Sequence, residues 1–309
     1  MARPKDIFRS GYVAILGRPN VGKSTLLNRV LGEKISIVSD KPQTTRNRIV
    51  GIYNLPKGSP AAPGGAQIVF LDTPGIHKGK DSFNKWMVDQ ALSTLSEVEV
   101  ALFVVEANNA PGAGDTWIAQ TIGKSGKPAI LVGNKIDLVP EELRAGKVAA
   151  YLGLAQFDSV AQISASTGEG IEPLIEEIAK RLPEGPAYFP EDQLTDIPER
   201  FVAAEIVREK AFEMLRQEIP YAVAVVTDTF KEGEPIHIEC TIHVERESQK
   251  GIVIGKGGEM LKAIGTAARK DLEKLLAAKV FLKLWVKVKP DWTRDPRALR
   301  ALGYTTEDR

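Results

Sequence analysis

Gly17-Arg18-Pro19-Asn20-Val21-Gly22-Lys23-Ser24 fits G-x-x-x-x-G-K-[ST], a loop whose backbone N–H groups wrap the phosphates of a nucleoside triphosphate. Its flanks suit that role. Tyr12–Leu16 is an apolar run that reads as a buried strand, and Thr25 opens a stretch to Leu31 with the spacing of a helix. Gly17 and Gly22 let the backbone curl round the phosphates without Cβ clashes. Lys23 can reach the β- and γ-phosphates as a point charge, and the Ser24 hydroxyl can hold Mg²⁺. The helix N-terminus behind the loop adds the positive end of a dipole. A glycine turn that merely joins a strand to a helix is the plainer reading, and the matching context outweighs it.

The base is read from Asn134-Lys135-Ile136-Asp137, which follows the apolar strand Ala129–Gly133. A carboxylate at Asp137 can accept two hydrogen bonds from the N1–H and N2–H₂ edge of guanine. Adenine lacks that pair of donors and would leave the carboxylate unpaired. Asn134 and Lys135 tie this loop to the phosphate loop, and Ser164-Ala165-Ser166 stands where a second base-contacting loop belongs. The expected ligands are GTP and GDP.

Asp72-Thr73-Pro74-Gly75 closes the set, at the end of the strand Ile68–Leu71. Asp72 is placed to reach Mg²⁺ as the Walker-B-type carboxylate. The Gly75 N–H can bond the γ-phosphate, which makes the segment after it a switch. Upstream, the polar stretch Gln43-Thr44-Thr45-Arg46 must supply a threonine to the Mg²⁺ shell; Thr45 is preferred over Thr44, although spacing alone does not separate neighbouring hydroxyls. Ile76 stands where Ras-like enzymes carry the glutamine that orients the attacking water, so hydrolysis is either slow or assisted by another group.

A chain of 309 residues exceeds one ordinary core, so two domains are expected. Cys240, the single cysteine, excludes an internal disulfide and a C-x-x-C metal scheme. His77, His237 and His243 form no ligand cluster in the sequence; the last two fall on the polar face of Ile236–Val244 as a solvated pair, with Cys240 on the apolar face. Met1–Ser10 lacks an apolar signal core, and no apolar run is long enough to span a bilayer, so a soluble, cytoplasmic protein is expected.

Four prolines between Pro183 and Arg200 interrupt the chain. The expected division is a P-loop domain over 1–183, a linker over 184–199 and a second domain over 200–309. The Gly/Pro-rich Pro56–Ala66 reads as a loose turn inside the first domain. In the second, Phe201–Ile219 has helical spacing with Phe201, Ala204, Val207, Ala211 and Leu215 on one face. Tyr221–Phe230 and Ile236–Arg246 read as a hairpin, Glu259–Leu276 as a helix and Val280–Lys289 as an alternating strand. Helix, strand, strand, helix, G-x-x-G, helix, strand is the order of a type II KH domain.

Gly255-Lys256-Gly257-Gly258 is then the loop where single-stranded RNA would be clamped, over about four nucleotides. Lys256 supplies phosphate charge, the helix from Glu259 presents its N-terminus, and Ile252, Val253 and Ile254 line the core or the groove. From Lys250 to Lys289, ten Lys/Arg, Lys262 among them, face three acids, while the whole chain carries only +1. Trp285 is better read as a half-buried aromatic on a sheet face than as a base-stacking group.

Taken together, Gly17–Ser24, Gln43–Arg46, Asp72–Gly75, Asn134–Asp137, Ser164–Ser166, Gly255–Gly258, Leu284–Lys289 and Arg297–Tyr304 resemble the Era family of bacterial GTPases over nearly the whole chain. The fold implied is a P-loop GTPase domain, a mostly parallel sheet with helices on both faces, followed by a smaller α+β type II KH domain. The resemblance implies GTP hydrolysis with Mg²⁺, binding to small-subunit ribosomal RNA near its 3′ end, and a role in late assembly of the small ribosomal subunit. It also implies a monomer, partly peripheral to the inner face of the cell membrane. In related GTPases with this P-N-V-G-K-S type of loop the asparagine helps hold K⁺ near the phosphates, which the likeness implies for Asn20; bracing the switch region is the alternative role. A signalling switch whose second domain binds protein, the G-x-x-G serving only as a turn, is the rival reading. An RNA-modifying enzyme would need a catalytic constellation that the second domain lacks.

Overall fold

The structure, a computed structural model, describes residues 7–38, 45–76, 82–216 and 218–304, the side chains of 82–85 excepted. Gln43, Thr44 and His77 lie outside the described residues. The described chain forms two compact units. One takes in 7–35, 45–76 and 87–196, and the other 36–38, 82–86, 197–216 and 218–304.

The elements of the first unit run β1 (Arg9–Leu16), α1 (Lys23–Leu31), β2 (Ile49–Leu55), β3 (Ala66–Asp72), α2 (Ser82–Glu97), β4 (Val100–Glu106), α3 (Ala113–Ser125), β5 (Ala129–Asn134), α4 (Glu141–Ala149), β6 (Ser159–Gln162) and α5 (Ile171–Ala179). The first turn of α2, through Trp86, groups with the second unit. The sheet order is β2-β3-β1-β4-β5-β6, parallel throughout except for β2, which runs antiparallel to β3. Alternate residues serve opposite faces. Ala14, Leu16, Val69, Leu71 and Phe103 pack with Ala91 and Leu95 of α2 and Ile118 and Ile122 of α3. The intervening Val13, Ile15, Ile68 and Phe70 are equally buried, on the side where α1 and α5 meet β3. With both faces covered, β3 has no exposed position, which is why it is apolar almost without alternation. Each such side chain contributes roughly 1.5–3 kcal/mol by burial. β1 sits where the strand order reverses, so the loops after β1, β3, β5 and β6 meet at the carboxyl edge, where open α/β sheets bind ligands.

Two segments differ from the sequence expectation. Pro56–Ala66 is held, not loose: Glu176 of α5 accepts hydrogen bonds from Ser59 Oγ at 2.6 Å and from the Ala61 N–H at 2.8 Å. The proline-rich segment expected as a linker over 184–199 belongs to the first unit as far as residue 196. Gln67 Oε1 accepts from the N–H groups of Tyr188 and Phe189 at 2.7 and 3.0 Å. Leu194 O accepts from the Ile52 N–H at 2.8 Å, and Thr195 Oγ1 donates to Val50 O at 2.6 Å. Proline forbids a helix here, but an extended chain can still satisfy the open edge of β2.

The second unit continues with α6 (Glu199–Met214), β7 (Ala224–Lys231), β8 (Ile236–Val244), α7 (Glu247–Ile254), α8 (Glu259–Leu275), β9 (Val280–Val288) and α9 (Pro296–Ala301). Its sheet is β7-β8-β9, with β7 antiparallel and β9 parallel to β8. Ile238, Cys240, Ile242 and Val244 pack against Val253, Ile264, Ala268 and Leu272. Burial pushes the Cys240 thiol up to about 11. His237 is exposed but His243 is only half so, and burial lowers its pKa, which corrects the expectation of a solvated pair.

α6 departs most from its pattern. It stops at Met214, and Ile219–Ala222, with Pro220 inside, forms a separate 3₁₀ turn. It also buries Glu205, Arg208 and Glu209 with its apolar residues. Arg208 donates from Nε and Nη2 to the two oxygens of Glu205 at 2.7 and 2.6 Å, a bidentate pair that keeps buried charge matched. Glu209 accepts from the Val38 N–H at 3.2 Å. Trp292, fully buried, donates to Ala222 O at 2.9 Å and stacks on Tyr304, whose ring also meets Trp86 edge-on.

Candidate functional site

The phosphate loop owes its shape to three close approaches. A Cβ on Gly17 would lie 2.4 Å from Val104 O, and one on Gly75 would lie 2.7 Å from the backbone of Pro19. Gly22 has φ +93° and would put its Cβ 2.2 Å from Asn134 Nδ2. Asn20 is also left-handed, at φ +65°; asparagine tolerates that conformation better than most residues. The loop therefore has a backbone reason for Asn20, whatever its relation to K⁺. Val21 is buried, and α1 starts at Lys23 with Ser24 and Thr25 in its first turn.

Lys23 lies in the cradle, its Nζ donating to Arg18 O at 2.9 Å and Gly17 O at 3.3 Å. Burial lowers its pKa to about 8, with the Asp72 charge acting the other way. A phosphate in the loop would restore the partner that burial removes. Arg18 turns its guanidinium away to Asp115 Oδ1 at 2.8 Å. Asp115 in turn caps α3 through the Gly112 N–H at 2.8 Å.

Ser24 Oγ stands 2.7 Å from Thr45 Oγ1 and 2.6 Å from Asp72 Oδ2. Two hydroxyls and a carboxylate on three separate segments thus converge, and hard oxygen donors of this kind suit Mg²⁺. Thr45 reaches the cluster; Thr44 and Gln43 lie outside the described residues. Arg46 and Thr73 are buried, Thr73 Oγ1 donating to Ile15 O at 2.8 Å. Pro74 is buried behind them, and Ile76 is 1% exposed with its N–H on Gly17 O at 3.1 Å. Its apolar side chain has nothing with which to orient a water.

Asn134 joins the base loops to the phosphate loop. Its Nδ2 donates to Val21 O at 2.8 Å, and its Oδ1 accepts from the Ala165 N–H at 2.9 Å. Lys135 pairs with Glu106, Ile136 is buried, and Asp137 is exposed at the mouth. Ser164 and Ser166 bond each other at 2.9 Å, and Arg29 of α1 donates to the carbonyls of Ala165 and Ser166. Sequence reasoning missed Arg29, Glu106 and Asp115. Only Asp115 carried a signal, an acid at the third position of a helix.

The second candidate site is the turn between α7 and α8. Gly255, Gly257 and Gly258 all have positive φ, at 76°, 60° and 85°. A Cβ on Gly255 would strike Met260 at 2.7 Å, whereas one on Gly257 or Gly258 would meet nothing. Close packing thus requires only the first glycine; the other two leave bare backbone open to a ligand. Lys256 and Lys262 are exposed beside them. Ile254 is half-buried, but Ile252 is 49% exposed, so it is not core; Val253 is the inward residue.

Such a pair of sites defines a guanine-nucleotide-binding P-loop domain joined to a KH domain. Family models agree: "50S ribosome-binding GTPase" matches residues 12–135 and "KH domain" residues 218–293. GTPase Era of Geobacter metallireducens is 56% identical over 301 residues, covering 96% of this chain and 98% of the relative. GTPase Era of Syntrophus aciditrophicus is 52% identical, covering 96% of each. A variant of Aquifex aeolicus Era bound to GDP·AlF₄⁻ superposes with a TM-score of 0.91 at 44% identity, over 96% of this chain and 99% of that one. Era in complex with MgGDPNP and nucleotides 1506–1542 of 16S ribosomal RNA matches equally, with a TM-score of 0.91. The chain belongs to the GTPase Era family. It is a GTPase that uses Mg²⁺, and the fold class expected from the sequence is borne out.

Proposed function

We propose that this protein is a nucleotide-controlled RNA clamp, in which GTP binding and hydrolysis in the first domain govern the grip of the KH domain on the 3′ end of small-subunit ribosomal RNA during late assembly of the small subunit. The observation that carries the reading is the convergence of Ser24, Thr45 and Asp72 beside the Asn134 staple, on a chain that also presents the open Gly257–Gly258 backbone. Mg²⁺, held by the first three, would offset phosphate charge. Lys23 neutralises the phosphates, Asn134 fixes the distance between the phosphate and base loops, and Asp137 reads guanine.

Thr45 and Ile76 belong to the first unit, while residues 36–38 and Trp86, a few positions away in the chain, group with the second. A change of order around the γ-phosphate is therefore felt along the backbone by segments that pack with α6 and Tyr304. The 16S ribosomal RNA held by a relative similar over its whole length favours the small subunit over the large one named for the nucleotide-domain family, because that family model does not include the KH domain. A cytoplasmic monomer fits this role, and no helix among the described residues is long and apolar enough to cross a membrane.

The test is binding of a single strand matching the small-subunit 3′ end, titrated against salt. An RNA clamp gives log K falling with log salt by about 0.7 per phosphate contact. Weak binding with no salt slope would instead favour a switch that binds protein.

A further inference from the structure

We propose that the outer face of the KH sheet is a second surface for single-stranded RNA, on which bases stack against Trp285 and Phe281 while Lys283 and Lys287 take the phosphates. The inference rests on the RNA-binding reading above and extends it to a face that the glycine turn does not use. β9 alternates strictly. Leu282, Leu284, Val286 and Val288 pack on the core side with α8. The other parity turns outward, and there Phe281 is 49% and Trp285 47% exposed, with exposed Lys283 and Lys287 between and beyond them. Trp285 stands on a sheet face and is about half buried, as the sequence suggests.

The neighbouring strand completes the surface. Register places His237 beside Phe281, Glu239 beside Lys283, Thr241 beside Trp285 and His243 beside Lys287. The His237 and Phe281 rings lie 5.0 Å apart at 37°, and Lys283 Nζ sits 4.5 Å over the Trp285 ring. Lys231 pairs with His237 from β7, and Lys289 follows at the end of β9. Two acids border the face: Glu239 lies 3.7 Å from Lys283, a long exposed contact that a phosphate would displace, and Asp228 accepts a hydrogen bond from Thr241 Oγ1 at 2.6 Å. Nδ1 of His243 is buried with no hydrogen-bond partner among the described residues.

Cations interleaved with half-exposed aromatic rings match the alternation of phosphate and base in a single strand, and every base offers a π-face. Phe281 and Trp285 stand about 13 Å apart along the strand, so each would hold a different base. A lipid surface would need a continuous apolar ridge, which the lysines interrupt.

The experiment uses the full chain loaded with a non-hydrolysable GTP analogue and two unstructured RNAs. One has about six nucleotides, enough for the four-nucleotide clamp, and the other about twenty. Anisotropy titrations compare wild type with Phe281→Ala/Trp285→Ala, Trp285→Phe and Lys283→Gln/Lys287→Gln. The expected result is a loss of at least about fivefold per stacked base for the long strand in the alanine pair, little change for the short strand, and recovery of most of the Trp285 share in Trp285→Phe. The glutamine pair gives up only exposed contacts, the Glu239 pair and the Trp285 ring contact of Lys283, and should lower the salt slope of the long strand by about 1.4.

Equal binding of the long strand by all variants overturns the proposal while leaving the glycine-turn site intact. So does a loss confined to phosphatidylserine-containing vesicles, co-sedimented with the same variants as a parallel arm, which would assign the face to a membrane. A wild type that binds neither RNA removes the KH reading, and this inference with it.

Discussion

Replacing Gly22 with alanine puts a methyl 2.2 Å from Asn134 Nδ2, at a position whose φ is +93°. The left-handed backbone costs an L-residue about 1–2 kcal/mol. Asn134 must also move and give up two buried hydrogen bonds, of 2.8 Å to Val21 O and 2.9 Å from the Ala165 N–H, at about 1 kcal/mol each. Without nucleotide the loops can relax, but binding must restore them, so the loss of about 3–4 kcal/mol appears in GDP affinity as a fall of roughly 100- to 1000-fold. Asn134→Ala alone should lose about 2 kcal/mol. If the clash is the mechanism, the double variant has no Asn134 left to displace, and the two effects fall short of their sum by about 2 kcal/mol. Calorimetric titration of GDP into the four proteins measures this coupling. Additivity within about 0.5 kcal/mol would refute the view that Gly22 is glycine to make room for Asn134.

Other expectations follow from the same geometry. In Ser24→Ala the oxygen cluster with Thr45 and Asp72 loses a member, so the gain in GDP affinity that Mg²⁺ gives the wild type should largely vanish; an undiminished gain would place the ion elsewhere. Because Ile76 is apolar and buried, turnover needs another source of charge: exchanging Na⁺ for K⁺ should raise the hydrolysis rate in the wild type and not in Asn20→Ala, and equal rates in both salts would leave Asn20 only its left-handed backbone role. Cys240 is buried with its thiol pushed up from 9.0 to about 11, so the folded chain keeps the proton where the unfolded chain loses it, and KH stability falls as pH climbs through that window. At pH 8 a thiol reagent should modify Cys240 only on unfolding, and prompt reaction of the native protein would contradict the packing. At Gly257, φ is +60° and a Cβ meets nothing, so Gly257→Asp should stay folded at a backbone cost of up to about 1–2 kcal/mol yet bind RNA about tenfold or more weakly, from like charge against phosphate; unaltered affinity would move the clamp elsewhere.

Much of this was legible in the sequence wherever chemistry is contiguous. The phosphate loop, the Asp72 strand end and the Asn134 loop each occupy a few consecutive residues, and a parallel sheet necessarily gathers its strand ends. What escaped depended on contacts between distant residues. Arg29 and Glu106 are ordinary surface types until the fold brings them to Ser166 and Lys135. α6 was misread because apolar spacing assigns charges to water, whereas Arg208 and Glu205 are buried by pairing with each other. The prolines after Pro183 correctly forbade a helix but said nothing of the β2 edge that an extended chain could satisfy. Of the two places that the sequence leaves open for Ile252, the core and the groove, its 49% exposure removes the core.

The central claim is that nucleotide and RNA are coupled, and coupling is reciprocal. The decisive measurement is the affinity for the 3′-end strand with a GTP analogue and with GDP, set beside the affinity for each nucleotide with and without that RNA. The account predicts tighter RNA binding in the GTP-analogue state, with RNA favouring the analogue over GDP by the same factor. Identical RNA affinity in the two states would contradict it, leaving a GTPase and an RNA-binding domain that share a chain without a switch between them.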